Sequence, residues 1–136
     1  MFNSGLFKFK DIIDESGHLT PIEASIDIPF EIKRVYYLTR VKPGVTRGFH
    51  SHRKLHQMLI CLNGSVKIRL KNPDEENIYE LSDSSVGLYI GPNVWREMFD
   101  FSEGSVLLVL ASDHYDESDY IRKYDDYAEE VKRLYN

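Results

Sequence analysis

Apolar and polar positions alternate along most of this chain in short runs, and turn-forming residues separate the runs. Leu19 to Ala24, Ile32 to Arg40, His56 to Leu62, Ser65 to Leu70, Ile78 to Leu81, Gly87 to Ile90 and Ser105 to Ala111 have the length and residue types of strands. Pro43-Gly44, Asn63-Gly64, Asn72-Pro73-Asp74, Gly91-Pro92-Asn93 and Glu103-Gly104 punctuate them. Short strands at this spacing predict a sandwich or barrel, not a parallel sheet with crossover helices. Asn63-Gly64 lies directly between two runs and predicts a tight hairpin with a primed turn.

The period changes near the C terminus. Tyr120, Tyr124, Tyr127, Val131 and Leu134 recur at three- and four-residue steps, so they share one helical face. Asp116, Glu117 and Asp119 stand near the start of this segment and Lys132 and Arg133 near its end, as the helix dipole prefers. The pattern predicts a helix over 116–135, packed on the barrel.

Composition narrows the partners. The 136 residues, 42% hydrophobic, suffice for one compact domain, 1–136, with its own core. A formal net charge of -5 argues against a broad nucleic-acid surface, although a local arginine cluster can still hold an anionic small molecule. The one cysteine, Cys61, sits in the apolar run Met58-Leu59-Ile60-Cys61-Leu62 and reads as a buried structural thiol. A single cysteine permits no intrachain disulfide, which fits a reducing cytoplasm. The first residues lack the apolar core and cleavage site of a secretion leader, and no stretch is long and apolar enough to span a bilayer.

The candidate chemistry lies at residues 47–52, R-G-F-H-S-H. Residues two apart on a strand point to one face, so His50 and His52 project together while Phe49 and Ser51 face the other way. Imidazoles titrate near neutrality, and a pair lining one pocket can take a proton from one atom and return it to another. His18, His56 and His114 have no partner at useful spacing and are expected in structural or surface roles.

Residues 44–64 resemble the first motif of the cupins, small jelly-roll barrels, which runs glycine, five residues, H-x-H, three or four residues, glutamate, six residues, glycine. Gly44, His50, His52 and Gly64 match it, but Gln57 stands at the glutamate. The histidine of the second cupin motif is absent too: Pro92 leads into Asn93, Val94, Trp95, Arg96 and Glu97. An amide is a poor ligand for iron, manganese or zinc. The resemblance therefore implies an all-β cupin double-stranded β-helix with a C-terminal helix, and neither a metal nor any other cofactor is expected. Arg47-Gly48-Phe49-His50 also matches the R-G-x-H of the dTDP-4-dehydrorhamnose 3,5-epimerase group, though the rest of the chain follows that group less closely.

A fuller resemblance is to the sugar 3,4-ketoisomerases acting on dTDP-4-dehydro-6-deoxy-D-glucose. It rests on I-K-R-V-Y-Y at 32–37, R-G-F-H-x-H at 47–52, C-L-N-G-S at 61–65, V-G-L-Y-I-G-P at 86–92 and A-S-D-x-Y-D-E-S-D-Y-I-R at 111–122. It implies isomerisation through an enediolate with no redox cofactor, in the making of a 3-amino-3,6-dideoxy sugar. His50 and His52 are the expected catalytic pair, with the duties of base and shuttle not divided between them. Arg47 is the first choice for the substrate diphosphate and Arg34 the second, since guanidinium suits phosphate oxygens. Tyr36 alternates with Arg34 on one strand face and is expected at the sugar or phosphate. Arg96 is also expected at the substrate, at a position where galacto-forming relatives carry histidine. Arginine is a poor proton donor, so the gluco product is favoured. Ser16 matches neither product type.

A metal-dependent cupin enzyme, a 4-keto-sugar epimerase and a non-catalytic nucleotide-sugar-binding cupin are the alternatives. The resemblance further implies a cytoplasmic homodimer that exchanges an N-terminal strand, within residues 1–15; the apolar positions of Gly5 to Ile13 suit such a strand.

Overall fold

The computed structural model describes residues 1–135. Two five-stranded antiparallel sheets face each other. The first has the order β1 (Ser4–Lys8), β9 (Val86–Ile90), β6 (Gln57–Asn63), β11 (Val106–Ala111), β4 (Arg34–Thr39). The second has the order β12 (Tyr120–Ile121), β5 (Arg47–His52), β10 (Trp95–Phe99), β7 (Val66–Lys71), β8 (Glu76–Leu81). A small hairpin, β2 (Ile12–Asp14) with β3 (Gly17–Leu19), stands apart, and one helix, α1 (Tyr124–Tyr135), ends the fold. This is the all-β cupin jelly roll with a C-terminal helix.

Alternation along the strands builds three apolar layers. Inward residues Leu59, Cys61, Ile68, Leu70, Leu88, Val109 and Leu107 meet between the sheets and are almost wholly buried. The opposite faces of β6 and β11 present Met58, Ile60 and Leu110, which the N-terminal segment covers with Phe9, Ile28 and Phe30. Trp95, Ile121, Tyr127 and Val131 form the third layer, where α1 lies on the outside of the second sheet. Each fully buried side chain of this kind stabilises by roughly 1.5–3 kcal/mol, so the layers fix the strand register.

Several elements differ from the pattern-based expectation. Leu19 to Ala24 is not a strand beyond Leu19; Pro21 withholds a donor, and the segment packs Ile22 against the outer layer instead of joining a ladder. Asn63-Gly64 is no hairpin: β6 and β7 belong to different sheets, and only Gly64 has positive φ, 74°. The turn carries the chain across the barrel. Trp95–Phe99 is a strand despite its charged centre, because Arg96 and Glu97 find partners on opposite faces of the sheet. The helix starts at Tyr124, not 116. Asp116 caps a short 3-10 turn at Glu117–Asp119, and Tyr120 and Ile121 pair with β5. Of the segment expected to be exchanged, Ser4–Lys8 pairs with β9 of its own chain, and Ile12 and Ile13 project in the small hairpin with their side chains exposed. No helix among the described residues is long and apolar enough to cross a membrane.

Candidate active site

An irregularity in β5 aims the histidines. Against β10 the register slips between Arg96, which faces His50, and Glu97, which faces Gly48, so Phe49 is the extra residue of a β-bulge. Gly48 and Phe49 both hold positive φ, 97° and 56°. A Cβ on Gly48 would lie 3.0 Å from the Arg96 carbonyl oxygen and 3.3 Å from the Glu97 Cα, so with its positive φ a side chain there is strained and crowded by the backbone of β10. Phe49 carries strain of about 1–3 kcal/mol in this region, with its ring in solvent. Just before the bulge, the Gly48 carbonyl accepts a hydrogen bond from His50 Nδ1 at 3.0 Å. A carbonyl only accepts, so Nδ1 carries the hydrogen and Nε2 keeps its lone pair.

His52 reaches the same state by another route. Its Nδ1 donates to Asp119 Oδ2 at 3.2 Å, and the backbone N–H groups of Lys54 and Leu55 hold that carboxylate at 2.9 and 3.3 Å. His52 Nε2 is buried without a protein partner. The two imidazoles stand 4.9 Å apart, nearly perpendicular, and Tyr120 lies against both. Burial, reinforced by the Arg96 guanidinium, pushes both rings below the ordinary imidazole range, His50 to about 3. Two neutral bases therefore share one chamber at pH 7.

Behind them lies Arg96, 1% exposed, its own pKa lowered by burial to about 10. It donates to Gln57 Oε1 and, at 3.0 Å, to the Val94 carbonyl. Gln57 Nε2 in turn donates to the Tyr36 hydroxyl at 2.9 Å. These residues do not suit the metal that cupin barrels often carry. The oxygen that would be a ligand already accepts from a guanidinium, and a divalent cation beside Arg96 would meet a buried like charge. No three His, Cys, Asp or Glu side chains converge on a metal-sized site among the described residues. Glu97 points to the other face, bonded to Trp95 and Arg69.

A cavity of about 450 Å³ opens over His50, lined also by Tyr36, Arg34, Arg47, Tyr120 and Arg122 among others, while His52 lies buried beside His50 and does not line it. Arg34 lies over the rings of Tyr36 and Tyr115 at 5.3 and 5.8 Å. Arg122 lies 4.2 Å over Tyr120 and grips Glu117 with two hydrogen bonds of 2.6 and 2.8 Å. Of the residues expected at the site, His50, His52, Arg34, Tyr36 and Arg47 come together. Arg96 joins the cluster but does not line the cavity: it contacts Gln57 and Val94, beneath where a ligand can enter.

Asp119, Tyr120 and Arg122 escaped the sequence reading. In sequence Asp119 and Tyr120 fit the start of a helix, where a 3-10 turn and β12 stand instead. Only the return of the chain to β5 as β12 reveals Tyr120 opposite His52.

A jelly-roll barrel with a histidine pair, a buried arginine and an arginine-rimmed mouth defines a cupin-type enzyme suited to proton transfer on an anionic ligand. The family model described as FdtA, WxcM-like, C-terminal, matches residues 2–132. The TDP-4-oxo-6-deoxy-alpha-D-glucose-3,4-oxoisomerase of Aneurinibacillus thermoaerophilus is 50% identical over 95% of this chain and 93% of its own. The sugar 3,4-ketoisomerase QdtA of Thermoanaerobacterium thermosaccharolyticum, solved in complex with TDP, is 70% identical with a TM-score of 0.97, over 100% of this chain and 99% of its own. The WlaRB TDP-quinovose 3,4-ketoisomerase of Campylobacter jejuni is 43% identical, TM-score 0.91, over 95% and 99% of the two chains. The rmlC epimerase of Mycobacterium tuberculosis, 14% identical with a TM-score of 0.76 over 89% of this chain and 68% of its own, shares the fold alone. The chain belongs to the sugar 3,4-ketoisomerase family.

Proposed function

We propose that the protein converts TDP-4-keto-6-deoxyglucose to its 3-keto isomer without a metal, with the gluco configuration at carbon 4. The observation that carries this reading is the neutral pair His50 and His52, each fixed through Nδ1 and each with its Nε2 lone pair left free of the protein. A ketone at carbon 4 acidifies the hydrogen at carbon 3. One imidazole takes that proton, the C–H electrons form a C3=C4 bond, and the carbonyl pair moves to O4. The isomer results when carbon 4 gains a proton, O3 loses its own to become the ketone, and O4 ends as a hydroxyl. Two protons leave and two arrive, so the pair needs neither oxidant nor reductant.

Arg34 and Arg47 at the mouth suit the diphosphate, and Arg122 is placed to join them if it releases Glu117. The gluco assignment is supported by Arg96, which stays charged and is no proton donor, and by the likeness to a TDP-quinovose enzyme, quinovose being 6-deoxyglucose. In that ring the hydrogens on carbons 3 and 4 lie on opposite faces, so a second donor must serve carbon 4. A 3-keto product is the natural substrate of an aminotransferase, consistent with a 3-amino-3,6-dideoxy sugar. Exposed Leu6, Ile12, Ile13 and Leu19 on the N-terminal strands support a homodimer, which sedimentation would test.

Proton NMR in deuterated buffer, with chelator-treated protein and TDP-4-keto-6-deoxyglucose, tests the reaction. Loss of the carbon 3 signal, growth of the 3-keto product and a gluco coupling pattern are expected. Turnover only after metal is restored would refute the metal-free mechanism, and no exchange at any sugar carbon would refute catalysis on this substrate.

A further inference from the structure

Gln57 occupies the cupin glutamate position, yet its amide is fixed at both ends by groups of different kinds. Arginine can only donate, so the hydrogen bond from Arg96 selects the Oε1 end of the amide. The Nε2 end is thereby turned to the Tyr36 hydroxyl, 2.9 Å away. Because the amide donates here, the Tyr36 oxygen accepts, and its own hydrogen is left for the cavity that its ring lines. Burial raises the Tyr36 pKa above its ordinary value, which keeps that hydrogen in place.

Resting on the isomerase reading above, we infer that Gln57 is a positioning residue: locked by Arg96, it holds Tyr36 as a hydrogen-bond donor towards the sugar oxygen on which negative charge develops. A carboxylate at the same position reverses the polarity of the relay. It accepts from Arg96 and from Tyr36 alike, and the phenol hydrogen turns away from the substrate. The amide is thus required for the direction of a hydrogen bond, as well as for leaving out a metal ligand.

The direction of the relay separates this role from a structural one. Gln57→Glu keeps the volume and gives the buried guanidinium a countercharge, so it should fold with an undiminished melting temperature. Its kcat should nevertheless fall on the order of a hundredfold, as when one donor to a developing oxyanion is lost, while KM changes little. Tyr36→Phe should show a similar loss, and the Tyr36→Phe/Gln57→Glu double variant should lose no more than either alone, because both remove the same hydrogen bond. Losses that multiply in the double variant, or a Gln57→Glu enzyme with wild-type kcat, would overturn the inference while wild-type turnover leaves the isomerase reading intact. An inactive wild-type protein would instead refute that reading. If Gln57→Glu melts lower, Gln57→Met decides: it removes the amide without adding an acceptor, and an unimpaired kcat per folded molecule would likewise overturn the inference. Assays in chelator keep any metal gained by the new carboxylate from masking the loss.

Discussion

The space between the two sheets has two halves that are built from the same strands and behave oppositely. Along β4 the inward residues run Arg34, Tyr36, Leu38; along β6 they run Gln57, Leu59, Cys61; along β10 they run Arg96, Met98. Each strand passes from polar to apolar within one or two inward positions. The apolar half is held by packing. The polar half is buried almost as deeply at His52, Gln57 and Arg96, and is tolerable because Asp119, Val94 and Tyr36 take most of the hydrogen bonds these groups require. His52 Nε2 is left unmet, and it is one of the two atoms the proposed proton transfer uses. Stability and reactivity are therefore separated along the barrel axis, and variants should fall into one class or the other.

The largest effect is expected at the histidines. His50→Asn or His52→Asn should lower kcat by roughly 10³–10⁴-fold with the fold retained, measured by product formation and circular dichroism. A rate within a few fold of wild type in either variant would remove that residue from the mechanism. Leu88→Ala in the apolar half should behave inversely. It should destabilise by about 2–5 kcal/mol in denaturant titration and leave the rate per folded molecule nearly unchanged. Arg47→Ala at the mouth should raise KM about tenfold with kcat kept, provided the diphosphate binds there. Equal loss of kcat would move Arg47 into the chemical step.

The last expectation concerns pH and is read in stability, not in rate. Folding holds both histidines below the value they have in the unfolded chain. Below about pH 6.5 the unfolded chain binds protons that the folded one refuses, so stability is complete above that pH and declines as pH falls. The expected slope is roughly 1.4 kcal/mol per pH unit for each histidine, and continues for His50 down to about 3. Urea midpoints from pH 7 to 5 should show this decline and lose much of it in the His50→Asn/His52→Asn double variant. A flat profile in the wild type would mean that the rings take up protons in the folded state.

What could be read from the sequence followed from local periodicity. The two-residue alternation identified most strands, and the H-x-H spacing put two imidazoles side by side. Arg34 and Tyr36 alternate on one strand face and Arg47 adjoins the histidine pair, and all three line the cavity. The rest depends on which distant segments meet. A repeat of three and four residues cannot distinguish the first turn of a helix from a loop returning to a sheet edge, which is where Asp119 and Tyr120 stand. Asn63-Gly64 has the composition of a hairpin, but the strands on either side join different sheets. From the sequence Arg96 is expected at the substrate. Only packing makes it a buried cation, because β10 sets it opposite His50 and points it towards Gln57, 39 residues away in the chain. Tertiary structure alone decided the protonation of the histidines and the direction of the amide, since both depend on burial and on donors brought from elsewhere in the fold.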